Sequence, residues 1–206
     1  MQTHVLLSSA FVWILGANAV SIARDTTNWT SVQCSTDPTT VLPTPTYGYT
    51  DSVFTVCAEY LINAPAEFIY NTLIDFKSYH LWNTFVVDVQ LPSNVTNTPE
   101  DVYIGMQMTF TTAGLIPLIN TTSAETVTVL DNDADAGYLL NAWGLLPISE
   151  HANILVSQGD GVTRYVSYET YYQELLAAPI LLLRPALQKQ FELQGEDLRS
   201  YVESLV

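Results

Sequence analysis

Two alternating runs, His151–Ser157 and Val162–Tyr172, meet at Gln158-Gly159-Asp160-Gly161. Gly and Asp tolerate the backbone angles that tight turns demand, so this stretch predicts a long antiparallel hairpin. If Gly159–Gly161 forms a three-residue loop, Leu155 stands opposite Tyr165, Asn153 opposite Ser167 and His151 opposite Glu169. Side chains alternate along a strand, so those six share one face. Ala152, Ile154, Val156, Arg164, Val166, Tyr168 and Thr170 take the other. A two-residue turn would flip one strand relative to the other. The second face is not polar, so apolar count alone does not choose the inner one.

The rest of the chain places this hairpin in an α+β plan. Ser52–Asn63 alternates as a strand, with Phe54, Val56, Ala58 and Tyr60 on one side. Ala64-Pro65-Ala66-Glu67 starts a helix, Pro near the first turn and Glu at the positive end of the dipole. Asp75–His80 makes a second short turn of helix. Strand-like runs follow near 85–90, 105–112, 125–130 and 137–143, ahead of the hairpin. From Glu174 the chain reads as helical to its end, with Leu187, Phe191, Leu198, Val202 and Leu205 in one stripe. Pro179 and Pro185 kink or delay its start, and Gly195 weakens its middle by about 1 kcal/mol. A curved antiparallel sheet of about seven strands gripping the terminal helix is the simplest way to bury that stripe.

Met1–Ala19 has the form of a signal peptide: a polar start, the apolar run Val5–Gly16, then Ala17-Asn18-Ala19 as a small-x-small cleavage pattern. Its apolar stretch is short for a membrane anchor, the competing reading. Residues 20–50 form an extended lead-in, and 51–206 the folded domain. Secretion agrees with three glycosylation sequons, at Asn28, Asn94 and Asn120. It also suits a bridge between Cys34 and Cys57, the only cysteines; two free buried thiols are the alternative. Of the 206 residues, 21 are acidic and 6 basic, a net charge of −15 that repels phosphate backbones and anionic bilayers. We therefore expect no nucleic-acid partner, and, because no stretch after the leader is long enough to span a bilayer (Leu175–Leu183 is interrupted by Pro179), no stable membrane insertion. There is no phosphate loop, nucleophile elbow or metal-binding helix motif, and Asp131, Asp133 and Asp135 lack the glutamate a calcium loop requires. No cofactor or metal is expected.

The run Ile62–Tyr70, then Leu73-Ile74-Asp75-Phe76, Tyr79 and Trp82-Asn83-Thr84-Phe85, resembles the opening motif of the START/Bet v 1-like superfamily, also called SRPBCC or polyketide cyclase/dehydrase-like. A second match comprises Ala142-Trp143-Gly144, Ser149-Glu150-His151, Gly161–Arg164, Glu169 and Leu175-Leu176. Together they cover about 50–206. Thr84 stands where the family usually has proline, and Tyr172-Gln173-Glu174 replaces a small, glycine-bearing turn. The resemblance implies a helix-grip cavity for a hydrophobic small molecule such as a lipid, sterol or polyketide, without implying one activity. It also favours the His151/Glu169 face as the concave one.

Two functions follow as expectations. The favoured one is a secreted binding protein with a cavity of about 300 Å³ or more. Its lining would draw on Trp82, Tyr138, Trp143, Asn153, Leu155, Tyr165, Ser167, Tyr171, Leu183 and Leu187. The alternative is a cofactor-free cyclase or dehydratase in which His151 and Glu169 pair as acid and base. Arg164 and Arg184, scarce cations here, are candidates for a ligand carboxylate or for ordinary surface ion pairs.

Overall fold

The computed structural model describes residues 27–206. The signal-peptide assignment, Met1–Ala19, lies outside them. Strand β1 (Ser52–Ile62) leads into helix α1 (Ala66–Ile74) and a 3-10 helix over Phe76–Leu81. Six strands follow: β2 (Val86–Gln90), β3 (Gln107–Ile116), β4 (Ile119–Asp131), β5 (Leu139–Gly144), β6 (Ser149–Gly159) and β7 (Val162–Tyr172). The chain closes with α2 (Glu174–Leu181) and α3 (Arg184–Glu203). The seven strands form one antiparallel sheet in the order β1-β7-β6-β5-β4-β3-β2, so the chain's first strand pairs with its last.

The hairpin takes the register of a three-residue loop, with His151 opposite Glu169, Asn153 opposite Ser167 and Leu155 opposite Tyr165. The turn itself is tighter. Asp160 and Gly161 make the reversal at φ 53° and 75°, and an irregularity between Ser157 and Gly159 absorbs the extra residue.

The β3–β4 hairpin is longer than its sequence suggests, because Gly114, Pro117 and the Asn120 sequon interrupt the strand pattern. Pro117-Leu118 forms the turn, with Leu118 at φ 65° and fully exposed. Gly114 sits in the irregular stretch between Thr112 and Ile116 at φ 83°, and a Cβ there would lie 2.3 Å from Gln190 Nε2 of α3. Glycine is required on both counts.

Helix α3 crosses the concave face, and its buried residues Leu187, Phe191, Leu198 and Val202 join Phe54, Val56, Ala58 and Ile62 of β1 in the main core. Gly195 faces β1: a Cβ at this point would come within 2.2 Å of the Tyr60 ring. The helix-weakening glycine is the position that leaves room for the Tyr60 ring. Thr84 donates from its backbone N–H (3.0 Å) and its hydroxyl (2.5 Å) to Asp197 of α3. Proline could supply neither donor, which accounts for the departure there. Gln173 takes the left-handed φ of 59° that a glycine would occupy, at a cost of about 1 kcal/mol.

The convex face is not left to water. Val32 of the lead-in packs with Leu140, Ala142, Ala152, Ile154, Val166 and Tyr168 in a second core. This explains why both faces of the β6–β7 hairpin read as apolar. The lead-in is fastened at several points. Cys34 is bridged to Cys57, the Tyr168 hydroxyl donates to Pro43 O (2.6 Å), and the Thr46 hydroxyl donates to the buried Glu150 (2.6 Å). Arg164 donates to Thr30 O and Val32 O and pairs with Glu59 at 3.3 Å.

Candidate functional site

A cavity of about 250 Å³ lies between the concave face and the helices. The sheet wall carries Phe110 from β3, Glu125 from β4, Trp143 from β5, His151 from β6, and Glu169 and Tyr171 from β7. Helices α2 and α3 and their junction close the other side with Ile180, Leu183, Leu187, Phe191 and Gln194. Thr122 is the one exposed lining residue, and Leu115, Ser123, Ile180 and Leu183 are among the half-buried ones, so the cavity is least covered between the β3–β4 hairpin and the α2–α3 junction; Glu169 is half-buried too. Somewhat smaller than the expected volume, it is still mostly apolar with a few convergent polar groups, the usual make-up of a small-molecule site.

The ionisable groups are held away from water. Burial pulls His151 down to about 3, so its imidazole is neutral. Its Nε2 sits 2.8 Å from Ser167 Oγ, and its ring packs between those of Trp143 (5.0 Å) and Phe191 (4.7 Å). Burial and then the neighbouring charge of Glu169 push Glu125 up to about 8. Glu169 is also raised by burial, against hydrogen bonds from Ser149 and Tyr171 that favour its charged form. The Tyr171 hydroxyl donates to Glu169 Oε2 at 2.7 Å and stays well above the ordinary phenol value, burial again being the main cause.

Six of the expected site residues line this space: Trp143, His151, Glu169, Tyr171, Leu183 and Leu187. The others do not. Asn153, Leu155, Tyr165 and Ser167 share the concave face but are buried below the cavity floor, where Tyr165 donates to Asn153 Oδ1 at 2.7 Å. Trp82 stacks on Tyr201, at 6.4 Å between ring centres, away from the opening. Tyr138 packs on the convex side against the lead-in, because it precedes Leu139 and so alternates outward. The expected His151–Glu169 contact is absent as well. The two are register partners, but Ser167 and Tyr171 take their hydrogen bonds. Neither arginine enters: Arg164 holds the lead-in, and Arg184 donates to Pro38 O and Thr55 O over the Phe54 ring.

Glu125 is the residue that sequence reasoning missed. It shares strand parity with buried Val127, a signal that places an acid on the inward face. Gln194 was missed too; it replaces an apolar residue on the inner stripe of α3, and its Oε1 is buried without a partner. Among the described residues no three His, Cys, Asp or Glu side chains converge as a metal ion would require, and no helix is long and apolar enough to cross a membrane.

No protein-family model and no curated protein matches the sequence. Solved structures do. A hypothetical protein, jhp0584, from Helicobacter pylori aligns at TM-score 0.59 and 14% identity over 83% of this chain and 99% of its own. A START superfamily protein from Mycobacterium smegmatis aligns at 0.55 and 16%, over 74% and 99%. TTHA0849 from Thermus thermophilus aligns at 0.52 and 16%, over 73% and 98%. At such identities the likeness is one of architecture, and with the curled seven-stranded sheet around α3 it gives this chain a START/Bet v 1-like, helix-grip fold.

Proposed function

We propose that this is a secreted protein that binds a hydrophobic small molecule in the cavity between sheet and α3. The observation that carries the reading is the cavity itself, about 250 Å³ of space walled by Phe110, Trp143, Leu183, Leu187 and Phe191 where a close-packed domain would have none. Secretion is supported by the Cys34–Cys57 bridge and by the exposed side chains of Asn28, Asn94 and Asn120, each in a glycosylation sequon. The cyclase or dehydratase alternative has less support, because His151 and Glu169 bond elsewhere and His151 is a very weak base.

The test is to purify the protein from culture medium and identify co-purifying small molecules by native mass spectrometry, then titrate it with prodan, a neutral polarity-sensitive dye. We expect a bound apolar species and blue-shifted, saturable dye fluorescence that Leu187→Trp, which fills the cavity, abolishes. No ligand, together with dye binding unchanged in Leu187→Trp, would refute the reading.

A further inference from the structure

We propose that the cavity selects an apolar molecule ending in a protonated amine, with Glu125 and Glu169 supplying its counter-charge. This rests on the binding-protein reading above and names the chemistry of its ligand.

Curvature brings a carboxyl from β4 and another from β7 to one cavity, although two strands separate them in the sheet. Opposite them α3 contributes Gln194, only 3% exposed, whose Oε1 has no hydrogen-bond partner. A buried amide oxygen left unpaired costs free energy until a donor arrives. The polar groups around the cavity are two carboxyls, the unpaired amide oxygen and the hydroxyls of Thr112, Thr121, Thr122, Ser123 and Ser149, which accept as well as donate, while the Tyr171 hydroxyl is already given to Glu169. An ammonium group has three donors and no acceptor, and it matches this set. A carboxylate or phosphate head finds no cation here, for none of Lys77, Arg164, Arg184, Lys189 and Arg199 lines the cavity. An alcohol brings one donor and leaves acceptors unmet.

The remaining titratable groups do not oppose a cation. His151 on β6 is held neutral, and Tyr171 on β7 keeps its proton. The lining residues of β2, β3, β5, α2 and α3 include no titratable side chain. With Glu125 raised to about 8, the empty site holds a proton near neutral pH, and an entering cation expels it. Amine affinity should therefore increase with pH up to about 8 and then level off.

Isothermal titration calorimetry of the full secreted protein with octylamine, 1-octanol and octanoate tests this. At pH 7.5 octylamine should bind about tenfold tighter than either analogue. Its affinity should rise between pH 5.5 and 8 while that of octanol stays level. Glu125→Gln with Glu169→Gln should reduce octylamine to the affinity that the same variant shows for octanol. On the unaltered protein, heats in phosphate and Tris buffers should reveal proton release with octylamine and none with octanol. Octanol binding as tightly as octylamine, or octylamine binding without proton release, overturns the amine assignment and leaves the carrier reading standing. If the unaltered protein binds none of the three and no prodan, both fall.

Discussion

His151 and Glu169 face each other across β6 and β7, yet each is bonded to a different neighbour: His151 to Ser167, Glu169 to Tyr171. With separate partners, neither stabilises the other's charged form. An ion pair would favour the charged forms of both, whereas here desolvation dominates and moves the two groups in opposite directions. The site is therefore a polar patch in an apolar hollow where burial disfavours charge on His151, Glu169 and Glu125 alike.

That burial shapes stability against pH. Glu125 has a folded value of about 8 against an ordinary 4.5, so its contribution to stability falls as pH rises between the two. His151 has a folded value of about 3 against 6.5, so its contribution falls as pH drops between those. The slopes of these two groups oppose each other from pH 4.5 to 6.5, where Glu169, raised as well, adds to the fall with rising pH. Outside this range each limb should fall by about 1 kcal/mol per pH unit. Urea melts across pH 3 to 9 check it: Glu125→Gln should flatten the alkaline limb and leave the acid one. A wild-type protein that gains stability from pH 6.5 to 8 contradicts the assignment.

The Cys34–Cys57 bridge joins residues 23 apart in sequence and fixes the lead-in to β1. Replacing both cysteines by serine should cost about 3 kcal/mol in urea unfolding. The loss should come with increased proteolysis of the lead-in, since Val32 and Leu42 then cover the convex face through non-covalent contacts alone. Equal stability of the two proteins would show that the remaining contacts suffice.

Helix propensity says that Gly195→Ala should stabilise α3 by about 1 kcal/mol. The structure says the reverse, because the added methyl group meets the Tyr60 ring, whose hydroxyl is tied to Glu192 O at 2.7 Å. The substitution should lower stability by about 1–3 kcal/mol, and adding Tyr60→Ala should remove the clash so that the alanine becomes favourable. Thermal melts of the two single variants and the double variant decide between propensity and packing.

Much of this architecture was legible in the sequence, for reasons particular residues make plain. The Gly159-Asp160-Gly161 turn set the β6–β7 register, and the alternation of β1 and the stripe on α3 announced the surfaces that would meet. The orientation of the β6–β7 hairpin was not legible from the residues alone, because the lead-in makes its outer face as apolar as its inner one. The cavity was read only in part. A residue's face follows from parity, but its depth depends on sheet curvature, which divides His151 and Glu169 at the cavity wall from Asn153 and Tyr165 beneath it. Glu125 went unseen because it stood at the very start of the strand run read as 125–130, where an acid reads as a solvated strand end, whereas β4 begins at Ile119 and holds it well inside.

The doubly oily sheet carries one further consequence. A version of this protein that began at Ser52 would keep the residues that line its cavity but bare the patch around Ile154, Val166 and Tyr168. An apolar patch of that kind invites association, so the strap that covers it guards against aggregation without lining the cavity.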